Sequence, residues 1–112
     1  MSAELPVEID VRSVKELIDN VEDFLLLDCR EPDEIALANI AGSTHVPMNQ
    51  IPGRVDELAA FRDKRIVVHC HHGGRSLRVS NWLREQGFPH AQNMDGGIDA
   101  WSLEIDPTIP RY

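Results

Sequence analysis

The chain has 112 residues, 42% of them apolar, and a formal net charge of −8, which is enough apolar material for one compact core and too little for two. The acidic excess, with no clustered basic face, argues against a nucleic-acid partner, because gripping a phosphate backbone needs local positive charge. No apolar run approaches the roughly 20 residues that span a bilayer, Met1 to Ile9 shows neither a basic start nor an apolar leader, and Cys29 and Cys70 therefore read as free thiols of a cytoplasmic protein with no membrane role.

Taken in order, the chain opens with a short apolar stretch, Val7 to Val11. Ser13 with Glu16 three residues later forms a capping box that predicts a first helix through Leu17, Ile18 and Val21. Phe24 to Asp28 is a continuous apolar run ending in a carboxylate, the pattern of a central parallel strand buried on both faces. Pro32 suits the first turn of a short helix over Glu31 to Ala38, with Ala41-Gly42 closing it. Thr44 to Val46 predicts a short strand stopped by Pro47, and Arg54 to Phe61 has helical spacing through Val55, Leu58 and Phe61. After Arg65, the β-branched strand Ile66 to His69 runs directly into Cys70-His71-His72-Gly73-Gly74-Arg75-Ser76. A helix from about Ser76 to Glu85 places Leu77, Trp82 and Leu83 toward the core and stops at Gly87. His90 to Met94 is the last strand and Gly97 to Trp101 a last short helix.

No repeat, low-complexity tract or flexible linker divides these elements, so one domain over residues 1–112 is expected, with a core at 5–103 and a tail at 104–112 that wraps its own domain or reaches another chain. Alternating strands and helices imply an α/β fold with a mostly parallel sheet of about five strands and helices on both faces. Ligands bind such sheets at the carboxyl ends of the strands. That edge gathers Asp28, Cys29 and Arg30 from one strand, Cys70 to Arg75 from another, and Asp95 to Gly97 from a third.

A thiol is a poor nucleophile until it loses its proton, and backbone N–H groups at a helix start stabilise the resulting anion. Cys70 stands between a strand and a helix, with Gly73 and Gly74 free to turn successive amides inward as an anion-binding nest. Arg75 adds a permanent forked cation suited to the oxygens of a sulfur oxyanion.

The segment Cys70 to Ser76 resembles the active-site loop of rhodanese domains, with a catalytic cysteine, glycine and a closing arginine. Asp28-Cys29-Arg30-Glu31-Pro32 is similar to that family's Asp-x-Arg-Glu-Pro segment, and Ile40 to Ser43 with Val46-Pro47 to its Ile-x-Gly-Ala and Val-Pro segments. Gly96-Gly97-Ile98-Asp99-Ala100-Trp101 is similar to its closing Gly-Gly-x-x-x-Trp motif. The resemblance covers residues 5–103 in the family's order. It departs at Cys29, where the family more often has valine, and at His71 and His72, which fill variable positions. It implies a rhodanese-like fold and a sulfurtransferase. Cys70 would take sulfur from a donor such as thiosulfate as a persulfide and pass it to cyanide or a thiol, including one carried by a protein. His71, His72, Gly73, Gly74, Arg75 and Ser76 would bind substrate, with Asp28 and Arg30 as a supporting ion pair.

Each feature also has a plainer reading. Cys29 is expected to be a small apolar residue near a strand end, the alternative being a resolving thiol for Cys70. His69, His71 and His72 crowd around a cysteine, but adjacent ligands from a strand and tight loop are not expected to converge on one ion, so neither metal nor cofactor is predicted. Gly96 and Gly97 read as turn and packing residues and Trp101 as core. Two rival functions are a catalytically silent binding module and a cysteine phosphatase or arsenate reductase. The latter use a longer loop between cysteine and arginine, whereas four residues separate Cys70 from Arg75.

Overall fold

The computed structural model describes residues 5–112. Five strands form one all-parallel sheet in the order β1-β5-β4-β2-β3: β1 is Glu8–Ile9, β2 Phe24–Asp28, β3 Thr44–His45, β4 Arg65–His69 and β5 Ala91–Met94. The two central strands are the continuous apolar runs, and their alternate residues feed two separate cores. Leu25, Leu27, Ile66 and Val68 point to one face, where they pack with Ile51, Leu58, Val79, Leu83 and Phe88. Leu26 and Val67 point to the other, against Val11, Val14, Met94, Ile98 and Trp101. Helices α3 (Ile51–Arg54) and α4 (Gly74–Glu85) contribute to the first core, and α1 (Val11–Asp19) and α5 (Gly97–Glu104) to the second. Both faces are thus covered, as a parallel sheet requires. Among the described residues no helix is long and apolar enough to cross a membrane.

Local departures from the sequence reading have local causes. Asp10, not Ser13, caps α1: its carboxylate accepts the Ser13 amide at 2.7 Å, and the helix starts earlier, at Val11. The capping box belongs instead to α2 (Pro32–Leu37), where Glu31 and Glu34 reciprocate and Pro32 occupies the first turn. That helix ends at Leu37, before Ala41-Gly42. The expected helix over Arg54 to Phe61 is wound mainly as a 3-10 segment, Val55–Phe61, following α3. In α4, Ser76, Val79, Ser80 and Leu83 form the buried stripe, while Trp82 and Leu77 are half-buried.

The tail folds back on its own domain. Ile105 and Ile109 pack against the second core, Arg111 pairs with Asp99 of α5, and Tyr112 returns to the loop after β4, stacked on His71 at a centroid distance of 3.9 Å.

Candidate active site

The site forms where β2 and β4 end side by side, Asp28 pairing with His69. One residue further, the Cys29 amide donates to the His69 carbonyl at 3.1 Å, which keeps the two chains in register up to Cys70. The loop then rests on the start of α5. The amides of Ile98 and Asp99 donate to the carbonyls of Cys70 and His71 at 2.9 and 3.1 Å. This close seating explains Gly97: a Cβ there would lie 2.6 Å from the Cys70 carbonyl oxygen. Gly73 takes a left-handed φ of 107°, which turns the chain into α4.

That turn aims donors at sulfur. Cys70 Sγ accepts from the Gly73 amide at 3.1 Å, the Ser76 amide at 3.4 Å and the Ser76 hydroxyl at 3.2 Å. Cys70 is 1% exposed. Burial alone pushes its thiol pKa up, but the Ser76 hydroxyl and the amides of Ser76, Gly73 and Arg75 outweigh it, and the net shift is downward.

Ser76 has one proton and two acceptors, Cys70 Sγ and Asn93 Oδ1. The thiol can donate to Ser76 Oγ while that hydroxyl donates to Asn93, and on ionisation the hydroxyl turns to the sulfur. Asn93 is itself held by its amide, which donates to Glu8 at 3.0 and 3.1 Å. Replacing Ser76 with alanine is expected to slow alkylation of Cys70 at neutral pH roughly tenfold, the worth of one hydrogen bond to a charged group. A pH profile of iodoacetamide labelling superimposable on the wild type would show that the amides suffice.

Arg75 reaches across to α2. Its guanidinium is committed to Glu34, with Nη1 to Oε1 at 2.5 Å and Nη2 to Oε2 at 2.9 Å. This fork holds the Glu34 carboxyl down at about 2, with the Arg75 hydrogen bonds the main cause and the Tyr112 hydroxyl assisting against burial. Arg75 therefore braces the loop against α2. Behind it, Asp28 and Arg30 are both fully buried and joined at 2.7 Å. Arg30 also donates to the carbonyls of Ala38 and Glu34 and to the Tyr112 hydroxyl, which donates on to Glu34.

Cys29 is fully buried, and its thiol donates to the His69 carbonyl at 3.5 Å. Burial first, then the neighbouring Cys70 and Asp28 charges, push its pKa up to about 12. A thiol that stays protonated suits packing better than attack.

His69 is the buried member of the histidine group, with Nε2 3.1 Å from Ser43 Oγ. Burial holds its pKa down at about 4, Arg30 adding to the effect and Asp28 opposing it. The folded imidazole is neutral, whereas the unfolded one takes a proton near the ordinary histidine value of 6.5. Between those values the unfolded state binds more protons, so stability falls as pH drops, by up to about 3 kcal/mol from this residue. Urea midpoints measured between pH 7 and pH 4.5 should decline for the wild type and decline less steeply for His69→Gln. Equal slopes would exclude His69 as the source.

His71 and His72 are stacked at 3.9 Å on the loop's outer side, His71 half-buried and His72 exposed. His71, His72 and Asp99 each offer an atom within 4.8 Å of the others, while His69 lies apart against Ser43. Asp99 comes from α5, outside the local spacing around Cys70. A groove of about 280 Å³ beside α4 is lined by Met48, Ile51, Pro52, Arg78, Val79 and Trp82, and by none of residues 70–76.

Comparison with known proteins agrees with this geometry. The model of the rhodanese-like domain matches residues 10–104. A protein of Allochromatium vinosum described as a sulfurtransferase is 38% identical over 102 residues, covering 91% of this chain and 94% of its own. A chloroplastic rhodanese-like/PpiC domain-containing protein of Arabidopsis thaliana is 39% identical, and the match covers 82% of this chain but 31% of that protein. The solved structure of SSP1007 from Staphylococcus saprophyticus superposes with a TM-score of 0.76 at 31% identity, covering 94% of this chain and 99% of its own. With the parallel sheet, the cysteine loop at its carboxyl edge and a match over most of its length, the chain belongs to the rhodanese-like domain family.

Proposed function

We propose that this protein is a sulfurtransferase that carries sulfane sulfur as a Cys70 persulfide. The observation that supports it best is the set of donors converging on Cys70 Sγ from the start of α4. The Cys70 thiolate attacks the outer sulfur of a donor such as thiosulfate. A new S–S bond forms, the donor's S–S bond breaks, and its electron pair leaves with sulfite. A thiophilic acceptor, cyanide or a thiol, then attacks the outer sulfur of the persulfide, and the electron pair of that S–S bond returns to Cys70. Charge resides on sulfur before and after each step, so the same fixed amides serve throughout. A thiol carried by a protein fits the acceptor role, because His72 and Gly74 of the loop are exposed at the carboxyl edge of the sheet.

Intact mass after incubation with thiosulfate tests this reading. The expected result is a gain of one sulfur atom, removed by cyanide with release of thiocyanate. Running 3-mercaptopyruvate in parallel distinguishes donors. No mass gain from either donor would favour a silent binding module.

A further inference from the structure

We propose that His71, His72 and Asp99 form a binding site for a divalent cation of the zinc class, in which the cation takes the place now held by Arg111. Backbone geometry brings the three together. His71 and His72 are consecutive on the loop, and the Asp99 amide donates to the His71 carbonyl at 3.1 Å, which carries the first turn of α5 against them. One ligand atom from each residue lies within 4.8 Å of the other two, and His72 Nδ1 is 3.9 Å from Asp99 Oδ2. Tetrahedral coordination at zinc-like bond lengths places ligand atoms about 3.4 Å apart, so the triangle must contract by about 1 Å. That adjustment requires the ring of His72, whose side chain is 67% exposed, to swing out of its stack on His71 so that both imidazole planes can meet at one ion. His71 Nε2 is buried and has no hydrogen-bond partner among the described residues, and the Tyr112 ring stacked on His71 must shift for an ion to reach it.

The donor chemistry selects the ion. Two imidazoles and one carboxylate suit zinc and the neighbouring transition metals, whereas calcium and magnesium prefer all-oxygen shells. The site already attracts positive charge: Arg111 donates to Asp99 Oδ1 at 2.8 Å and to Oδ2 at 3.3 Å. A metal ion and this guanidinium compete for the same oxygens. Cys70 is not part of the set, since its sulfur is engaged by Gly73 and Ser76.

The test is zinc titrated into the full chain against a chromophoric chelator, in a Cys70→Ser background so that a thiolate cannot contribute. One equivalent is expected to bind, with affinity lowered at least tenfold by either His72→Ala or Asp99→Asn. Arg111→Ala should bind roughly two- to fivefold tighter, the worth of an exposed ion pair that no longer competes. Circular dichroism checks that the variants are folded, and His72→Ala removes a side chain that is mostly solvated. Absence of zinc binding in Cys70→Ser, or undiminished affinity in both His72→Ala and Asp99→Asn, overturns the site. Neither outcome bears on sulfur loading of Cys70, which the thiosulfate mass measurement reads separately.

Discussion

Cys70→Ser is expected to lose sulfur transfer entirely while keeping the wild-type fold. The physical basis lies in how the protein treats this position. Burial at 1% exposure would ordinarily keep a thiol protonated, yet here hydrogen bonds from Gly73, Arg75 and Ser76 reverse that tendency. A serine hydroxyl ionises far less readily than a thiol, and the same amides cannot make it a sulfur nucleophile at neutral pH. Its oxygen can still accept from Gly73 or Ser76, so the loop retains partners and the unfolding free energy from urea titration should change by less than about 1 kcal/mol. Two measurements decide the matter: intact mass after thiosulfate, and thiocyanate release with cyanide present. Sulfur retained on the Cys70→Ser chain would move the carrier elsewhere, and Cys29 would be the residue to examine.

The parts of this arrangement that were legible in the sequence are those written in contiguous residues. Phe24 to Asp28 and Ile66 to His69 announce central strands because burial on both faces demands unbroken apolar runs. Cys70 to Ser76 announces an anion loop because glycines, cysteine and a helix start are adjacent. What escaped is what joins distant segments. Arg75 had the right chemistry for an oxyanion, but Glu34, forty-one residues earlier, claims both arms of its fork. Tyr112 completes that network from the tail, seventy-eight residues from Glu34, and no local pattern signals it. Asp99 escaped in the same way, since the histidines were weighed only against their chain neighbours. The cap of α1 failed for a local reason: Asp10 and Ser13 are both good caps, and Asp10 takes the Ser13 amide.

Arg30→Met is expected to destabilise the fold by about 3–5 kcal/mol, the cost of breaking a buried ion pair from one side. Arg30 and Asp28 have side chains with no exposure at all, and the guanidinium makes two further bonds to backbone carbonyls and one to Tyr112. Methionine matches much of the volume but leaves the Asp28 carboxylate facing hydrocarbon, with the Arg30 amide, 3.0 Å away, as a remaining donor. The carbonyls of Ala38 and Glu34 also lose a donor. Since a domain of this size has only about 5–15 kcal/mol of stability in total, the variant should unfold well below the wild-type temperature. The double variant Asp28→Asn with Arg30→Met tests the cause, because it removes the stranded charge. Its urea midpoint should lie above that of Arg30→Met alone. A double variant no more stable than the single one would assign the loss to packing and the backbone carbonyls instead of the carboxylate. At temperatures where Arg30→Met stays folded, Cys70 should still load sulfur, because every donor to its sulfur comes from residues 73 to 76 and none from β2.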